Sequence, residues 1–325
     1  MAHVLANTKE MNREEWLKFR KQGIGGSDAA AVAGINPWKS PIQVYMEKTG
    51  EIEPQQAGEK AYWGEQLESL VANEFQKRTG KKVRRRNAIL QHPDHPFMIA
   101  NLDRIVVGEK AGFEAKTTDK RNREQWVQGD EMVIPDIVNV QIHHYMAVTG
   151  YNAWWVAVLI GGNEFRYKKV ERDDELVELL IKTEKEFWTR VENQDPPELD
   201  GSEATGELLK QLYPEGKPEE VELPDNTVDL IEKRNELKEK EKELKDHLKE
   251  VENKLKDQLG EYEVGNVIKG DVMYQVKWKN ISSKRLDTKK LKKEAPDIFE
   301  KFANESSYRR FDIKEVDLSE QQKAE

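Results

Sequence analysis

The sequence contains no cysteine, and none of its apolar runs is long enough to cross a bilayer. Without cysteine there can be no disulfide, no iron–sulfur cluster and no cysteine-ligated zinc site. The first residues have neither a long apolar core nor a small-residue cleavage site, so we expect no signal peptide. Together these absences favour a protein of the reducing cytoplasm that has no membrane partner.

The chain also lacks an excess of positive charge, because its formal net charge is −9 over 325 residues. A nucleic-acid-binding protein is expected to be basic where it contacts phosphate. In this chain only local basic segments could make such contacts. Residues 77–86 contain seven Lys or Arg and no acid. Such a run alone is typical of a solvated surface. In a chain that binds nucleic acid, the same run predicts contacts with backbone phosphates by Lys81, Lys82, Arg84, Arg85 and Arg86.

Apolar periodicity predicts an α/β (α+β) fold with a central mixed sheet flanked by helices. Residues 64–80 have helical spacing and end at a glycine. Residues 82–92, 96–108 and 112–118 are predicted as strands. The run AWWVAVLIGG, residues 153–162, is typical of a strand that is covered on both faces of its sheet.

Composition divides the chain into four regions. They are a catalytic domain over residues 1–195, a linker over 196–224 rich in Pro, Gly and acids, a charged segment over 225–260, and a small β/α region over 261–325. Leu or Val recurs every seven residues from Leu223 to Val251, which predicts a long helix or a helical hairpin. Arg234 and Glu241 interrupt this apolar seam, so we expect no strong dimer from it alone.

The strongest chemical signal is Asp103, followed eleven residues later by Glu114 and then by Lys116. Glu114 and Lys116 are two residues apart on a predicted strand, so their side chains lie on one face. Carboxylate oxygens select Mg²⁺ or Mn²⁺, and such a metal can polarise a phosphate and hold the attacking water. A surface hairpin with a salt bridge has the same pattern, so this motif needs support from other residues.

Two further polar residues provide this support. Glu68 lies toward the apolar face of its predicted helix, where a carboxylate needs a cationic partner or a metal. Glu65, one turn earlier, is the more exposed alternative. Gln141 lies on the helix after the Glu114 strand and can bind a metal-bound water, or it can be an ordinary buried amide. His143 and His144 are adjacent on the same helix, so they predict packing or phosphate contacts and no shared metal.

The glycine-rich turn GIGGSD is flanked by Arg20 and includes Ser27. Glycine-rich backbone at a helix start can bind an anion, and an arginine beside it can hold a phosphate through two hydrogen bonds. The alternative is a plain helix start that is capped by Ser27 or Asp28.

Five segments occur together in the order and spacing of one known family. They are RKQGIGGSDAAAVAGINPWKSPIQVYMEKTG, WGEQLE, NLDRI, FEAKTT and QIHHYMAVTG. Over roughly residues 11–195 the chain resembles the YqaJ-like viral recombinases, which belong with the lambda exonuclease group of PD-(D/E)xK nucleases. The resemblance implies a restriction-endonuclease-like core and a C-terminal extension of helix and strand.

The resemblance also implies a role for each matching residue. Glu68, Asp103 and Glu114 match metal-binding acids, with the Ala115 carbonyl as a further ligand of Mg²⁺ or Mn²⁺. Lys116 matches the catalytic lysine and Gln141 the glutamine that braces the site. Arg20 and Ser27 match a pocket for the DNA 5′-phosphate, and Trp16 also fits it.

The implied activity is 5′→3′ digestion of one strand at double-stranded DNA ends, in phage or prophage recombination within a bacterial host. Relatives often form a ring-like trimer and act with a single-strand annealing protein. Two alternatives are a structure- or sequence-specific endonuclease with the same core, and a non-catalytic scaffold that binds DNA ends. The chain departs from the lambda pattern at Arg104, which stands where a glycine is usual, and in the extension after residue 225.

Overall fold

The computed structural model describes residues 2–54, 58–304 and 308–313. The chain forms two compact units, of which the first ends at Tyr213 and the second begins at Pro214. No helix in the described part of the chain is both long and apolar enough to cross a membrane.

The helices of the first unit are seven among the described residues. They are α1 (Arg13–Arg20), α2 (Gly26–Val32), α3 (Pro41–Thr49), α4 (Glu59–Thr79), α5 (Asp136–Thr149), α6 (Asp174–Asn193) and α7 (Glu203–Leu212), with a 3₁₀ helix over Lys120–Gln125. Local chemistry sets several of their ends. Asn12 and Glu15 form a capping box at the start of α1. Gly80 and Gly150 end α4 and α5 in the left-handed conformation, as their positions after the apolar runs predict.

The strands of the first unit number ten in the part of the chain that the structure describes. They are β1 (His3–Asn7), β2 (Val83–Arg85), β3 (Ala88–Gln91), β4 (Ile99–Asn101), β5 (Arg104–Val106), β6 (Ala111–Thr118), β7 (Val127–Gln128), β8 (Glu131–Met132), β9 (Ala153–Ile160) and β10 (Glu164–Glu171).

The central sheet has the strand order β10-β9-β6-β5-β2. It is mixed, because β6 and β9 are parallel while the other neighbours are antiparallel. The parallel pair is joined by a crossover that contains α5, as a parallel connection requires. A second, antiparallel sheet has the order β1-β3-β4, and β7 and β8 form a short hairpin.

Helices cover both faces of the central sheet. Phe75 of α4 packs on Phe113 of β6, with ring centroids 4.8 Å apart. On the other face, Ile142 and Met146 of α5 pack with Val156 of β9 in the largest apolar cluster. The prediction of an α/β fold with a helix-flanked mixed sheet is therefore confirmed. β9 is almost wholly buried, as its uninterrupted apolar sequence predicts.

Two segments predicted as single strands are each divided between two sheets. Residues 82–92 form β2 in the central sheet and β3 in the second sheet, and residues 96–108 form β4 and β5 in the same way. Asp103 lies where the chain passes from β4 to β5, between one sheet and the other. This crossing places a carboxylate at the margin of the central sheet.

The segment predicted as a linker, residues 196–224, contains the helix α7. Ser202 caps this helix, and Leu208 is buried in an apolar cluster with Ile24 and Phe187. The helix therefore belongs to the first unit, whose apolar surface holds it.

The second unit contains a long helix and a small β/α region. Its elements are α8 (Thr227–Leu259), β11 (Val264–Lys269), β12 (Val272–Lys277), α9 (Thr288–Glu294) and α10 (Pro296–Phe302). β11 and β12 form an antiparallel hairpin. α8 is continuous from Thr227 to Leu259, within the segment for which the sequence allowed either a long helix or a helical hairpin.

Candidate functional site

Glu114 lies at the centre of a buried polar cluster on β6. One of its oxygens, Oε1, lies 2.7 Å from Lys116 Nζ in an ion pair and accepts a hydrogen bond from Gln141 Nε2 at 3.0 Å. Gln141 is on α5, and its own Oε1 accepts from Lys116 Nζ at 2.9 Å. The alternation of β6 brings Glu114 and Lys116 to the α5 face, as their spacing predicts. A single amide therefore fixes the carboxylate and the ammonium together.

Asp103 joins this cluster from the chain crossing between β4 and β5. The backbone N–H of Ala115 lies near its carboxylate. Burial raises the pKa of Asp103 well above its usual range, and the negative charges of Glu114 and Glu68 raise it further, against the opposite effects of Lys116 and of the Ala115 N–H. The three carboxylates are thus close enough for their charges to oppose one another.

Glu68 approaches the cluster from α4. Its Oε1 lies 2.9 Å from Arg104 Nη2, an ion pair that does not meet hydrogen-bond geometry. Arg104 also donates to Ser69 Oγ at 3.1 Å. Glu65, one turn earlier, is exposed. Arg104, which stands where the lambda pattern has a glycine, thus forms an ion pair with Glu68 of α4.

The donor set of this acidic cluster fits a hard divalent cation. Glu114 Oε2 and Glu68 Oε1 are buried and have no hydrogen-bond partner among the described residues. Buried carboxylate oxygens without hydrogen bonds are costly, even where, as for Glu68, an ion pair is present. A divalent cation would satisfy these oxygens and relieve the repulsion around Asp103. Glu68 forms an ion pair with Arg104, and Glu114 forms one with Lys116. Within the described ranges, no three acidic or histidine side chains form a ready-made metal cluster.

A second buried cluster has the opposite balance of charge, and its centre is Asp28 on α2. Asp28 is fully buried. Its Oδ1 lies 2.8 Å from Arg20 Nη2 and 3.0 Å from Lys39 Nζ, and its Oδ2 lies 2.8 Å from Lys48 Nζ. Lys39 is also bound to the buried Glu47 at 2.6 Å. Three cations therefore face two carboxylates, which leaves one positive charge in excess.

Electrostatics hold this cluster in its charged form. Burial opposes ionisation of Asp28, but Lys48, Lys39 and Arg20 outweigh it and keep the Asp28 pKa well below its usual range. The pKa of Arg20 is raised, because Asp28 outweighs the effect of burial. The alternative in which Ser27 or Asp28 caps the helix is wrong, since the N-cap is Gly25 and neither side chain caps it. Asp28 has its ionic partners from α1, from α3 and from Lys39 in the loop before α3 instead.

Arg20 and Ser27 lie side by side on a cavity of about 190 Å³. Arg20 Nη2 is 3.2 Å from Ser27 Oγ, and the Arg20 guanidinium lies over the Trp16 ring at 4.9 Å. The cavity is lined by Trp16, Arg20, Gly25, Gly26, Ser27, Ile89, Ile99, Asn101, Asp103 and Tyr145. One cavity therefore touches Arg20 of the cationic cluster and Asp103 of the acidic cluster.

Tyr145 connects the two sides of this cavity, and sequence reasoning missed it. Its hydroxyl oxygen accepts from Gln141 Nε2 at 3.0 Å. Burial raises the Tyr145 pKa well above its usual range, and Glu114 and Asp103 add to this effect. Its position four residues after Gln141, on the same helix face, was the available signal.

Gly26 explains why the glycine-rich turn is needed beside Tyr145. A Cβ atom at Gly26 would lie 2.3 Å from the Tyr145 ring, which is far inside van der Waals contact. The missing side chain therefore lets the start of α2 approach the α5 side chains. The turn brings Arg20 and Ser27 to the same cavity as Tyr145.

The five predicted DNA-backbone residues lie on or beside β2, an edge strand of the central sheet. Arg84 and Arg85 are exposed, and Arg85 pairs in register with Arg104, next to Asp103. Lys82 is exposed and Arg86 is partly so. Lys81 is engaged by Glu109, and its ammonium lies 5.5 Å from the Trp155 ring centroid.

His143 and His144 are both buried, and neither is among the residues that line the cavity. His143 Nδ1 lies 2.8 Å from the Asn139 carbonyl, and its Nε2 accepts from the backbone N–H of Asp173 at 3.2 Å. His144 bridges Glu184 and the Ile99 carbonyl, each at 2.8 Å. Both residues therefore serve packing, and the alternative of phosphate contacts does not fit their burial.

Comparison with known proteins gives two sequence matches. The model of the YqaJ-like viral recombinase domain matches residues 15–152. The uncharacterized protein YqaJ of Bacillus subtilis (strain 168) is 45% identical over 320 residues, which make up 97% of this chain and 98% of that protein.

Similar solved structures include LHK-Exo, an alkaline exonuclease from Laribacter hongkongensis. That chain is 16% identical with a TM-score of 0.44, and the match covers 62% of this chain and 98% of LHK-Exo. A phage-related exonuclease from Haemophilus somnus 129PT is 9% identical with a TM-score of 0.41, covering 55% of this chain and 99% of its own. These scores are too low to bear on activity.

Proposed function

Since the chain belongs to the YqaJ-like viral recombinase family, we propose that it is a metal-dependent deoxyribonuclease that digests duplex DNA from the 5′ end. The observation that carries this proposal is the cavity that Arg20, Ser27 and Asp103 share. The cationic side of this cavity would bind a terminal phosphate, and the acidic side would carry out hydrolysis.

The cationic side suits a terminal phosphate group. Arg20 is held by Asp28 and supported by Trp16, so its guanidinium is positioned in advance of binding. The cluster behind it has one positive charge in excess, which a phosphate would balance. The cavity is smaller than pockets for drug-sized ligands, which are roughly 300–1,000 Å³. It therefore favours a phosphate and its water over a nucleobase.

The acidic side suits hydrolysis of a phosphodiester. Glu68, Asp103 and Glu114 would hold Mg²⁺ or Mn²⁺, with the Ala115 carbonyl as a further ligand. The bound cation would polarise the scissile phosphate and lower the pKa of an attacking water. Lys116 would stabilise negative charge that develops on the phosphate oxygens, and Gln141 keeps its ammonium beside Glu114. The Tyr145 hydroxyl in turn fixes Gln141.

Recognition of a terminal phosphate favours an exonuclease over an endonuclease. An internal phosphodiester carries one negative charge and has no free end, whereas a 5′-phosphate carries close to two. Each cleavage would leave a new 5′-phosphate for the same Arg20 pocket. The product would be a duplex with a 3′ single-stranded tail, the substrate of a single-strand annealing protein. That partner and a ring-like trimer remain predictions.

The test uses linear duplex DNA with separate 5′ and 3′ labels, with Mg²⁺ or with a chelator. We expect Mg²⁺-dependent release of the 5′ label first, and no cleavage of a covalently closed circle. Glu68→Gln should abolish release, whereas Glu65→Gln makes the same change one turn away on an exposed position and should not. Linearisation of the circle would favour the endonuclease, and digestion in the chelator would refute the metal requirement.

A further inference from the structure

The helix α8 carries an apolar seam that the proposed function does not use. Six of its side chains occupy the two core positions of a heptad repeat, first seven residues apart and then four and three apart, and they are between 41% and 69% exposed. They are Leu230, Leu237, Leu244, Leu248, Val251 and Leu255. Exposed apolar seams of this length mark interaction surfaces.

Little in its own unit covers this seam. In the described part of the unit, α8 makes no extended packing with another helix or strand. Only its last residue, Leu259, is buried, beside Gly265 of the β11–β12 hairpin. Arg234 lies over the Phe311 ring at 5.7 Å, near the start of the seam.

The positions that flank the seam on both sides are occupied mainly by lysine. In the heptad frame set by the apolar residues, these are the positions that meet the flanks of a partner helix. The flanking lysines are Lys233, Lys238, Lys240, Lys245 and Lys254, and all are exposed. Glu252 is the one acid among the flanking positions. The helix acids lie mostly on the opposite face.

Intrahelical ion pairs do not remove this positive charge from the surface. Lys240 is paired with Glu236 at 2.5 Å, and Lys254 is paired with Glu250 at 2.5 Å. The four side chains of these pairs are all more than half exposed, and such pairs contribute little and exchange readily. The lysines remain available to a partner that brings acids closer.

A second copy of α8 is a poor occupant of this seam. In a parallel pair in register, Lys233 of one copy would face Lys238 of the other, and Lys240 would face Lys245. An antiparallel pair would also bring lysine flanks together, because both flanks are basic. Like charges at these positions oppose pairing, so they select against the homodimer.

We propose that α8 binds an amphipathic helix of another protein, whose apolar seam is flanked by Glu and Asp. Its acids would meet the flanking lysines, and its apolar residues would cover the leucines. Arg234 and Glu241 interrupt the seam one heptad apart, so a parallel partner would carry an acid opposite the first and a base opposite the second. This polar pair sets the register of the complex.

The test uses two synthetic helical peptides of the length of α8, with identical leucine seams. One has Glu at all flanking positions and the other has Lys. Fluorescence anisotropy with the full-length chain should give at least about tenfold tighter binding of the acidic peptide, and salt should weaken it. Equal affinities, or no binding of either peptide, would overturn the proposal.

A matched pair of variants locates the binding surface. Leu237→Glu with Leu244→Glu places two acids in the seam, while Asn235→Glu with Asn253→Glu adds the same charge away from it. All four changes introduce a good helix former, so circular dichroism should be unchanged. The seam variant should lose at least about tenfold in affinity for the acidic peptide, beyond any loss in the control.

Two other occupants would be revealed by the same variants. Sedimentation that shows a homo-oligomer dissociated by the seam variant, but not by the control, would assign the seam to a second copy. Loss of duplex binding in the seam variant, with peptide binding kept, would assign the surface to DNA. Either result would overturn the proposal, and neither depends on nuclease activity.

Discussion

Asp28 and Asp103 belong to two charged clusters beside one cavity, yet their surroundings shift their pKa values in opposite directions. Asp28 is fully buried among three cations, and its pKa is lowered. Asp103 has the carboxylates Glu114 and Glu68 nearby, with Lys116 as the cation that opposes them, and its pKa is raised. Burial acts against the charge of both aspartates, so the neighbours decide the outcome.

This difference indicates what each cluster is built to receive. A cluster with an excess of positive charge is completed by an anion, and one with an excess of negative charge is completed by a cation. The residues that make the clusters are close in space but come from different elements. Loss of one cluster should therefore leave the binding capacity of the other in place.

The largest expected effect is on the rate of DNA cleavage, with little change in the binding of DNA ends. Glu114→Gln removes a charge from the acidic cluster and should lower the rate of linear duplex digestion by at least about a thousandfold. Binding to 5′-phosphorylated ends should stay within a few fold, because Arg20 is unaffected. A quench-flow rate and an anisotropy titration measure the two quantities.

Glu178→Gln is the control for this prediction, since Glu178 is an exposed acid on α6. It should keep the wild-type rate. If the Glu114 variant lost end binding as severely as digestion, the two clusters would not be separable.

The second prediction concerns stability and has opposite signs in the two clusters. Asp28→Asn leaves buried cations without their shared carboxylate and should cost about 3–5 kcal/mol. Asp103→Asn removes a charge that its neighbours repel, so without divalent metal it should raise Tm by a few degrees. Thermal unfolding of both isosteric variants in a chelator measures this contrast, and shifts of the same sign would contradict it.

The pH dependence of the Asp28 contribution follows from its lowered pKa. The carboxyl has an ordinary pKa of about 3.9 in the unfolded chain and a lower one in the folded chain. Its stabilisation is therefore fully present above about pH 4 and is lost as the pH falls through the folded-state pKa. The stability difference between wild type and Asp28→Asn should be constant near neutrality and shrink in acid.

The third prediction tests the cationic cluster as a phosphate site. Arg20→Lys keeps the charge beside Asp28 but loses the two-pronged guanidinium. The preference for 5′-phosphorylated over 5′-hydroxyl ends should fall by about tenfold in competitive digestion. Lys18→Ala, an exposed change on the same helix, should keep the preference. Equal slowing on both kinds of end would remove the phosphate pocket.

The smallest effect is expected for the arginines on and beside the edge strand β2. Arg84 and Arg86 are not part of a buried cluster, so Arg84→Gln with Arg86→Gln should weaken duplex binding only a few fold. The slope of log affinity against log salt should fall by about one for each phosphate that an arginine no longer neutralises. A weakening as large as that of an Arg20 variant would place β2 in the site itself.

Sequence patterns predicted the acidic cluster better than the cationic one. Glu114, Lys116 and Gln141 meet because strand alternation and one crossover helix bring them together, and both are readable from periodicity. Asp28 was interpreted as a helix cap because its local sequence permits that. Its partners Lys39 and Lys48 lie 11 and 20 residues away, and only the packing of α2 against α3 and the loop before α3 brings them to it.

The division of predicted strands between two sheets could not be read from apolar patterning. Residues on either side of Asp103 have the same extended apolar character, so nothing in their periodicity marks the crossing. Pairing partners decide it, since β4 pairs with β3 and β5 with β6 and β2. The terminal strand β1 also pairs with β3 and has no strong local signal.

The contact between Gly26 and the Tyr145 ring sets how wide the gap between the two clusters can be. Even one methyl group at position 26 would have to displace the Tyr145 ring. The hydroxyl of that ring accepts a hydrogen bond from Gln141, whose amide also contacts Lys116 and Glu114. The absence of a side chain at Gly26 is thus linked, through Tyr145 and Gln141, to Glu114 on β6. In the proposed nuclease, this contact would set the distance between the bound 5′-phosphate and the phosphodiester bond that is cleaved.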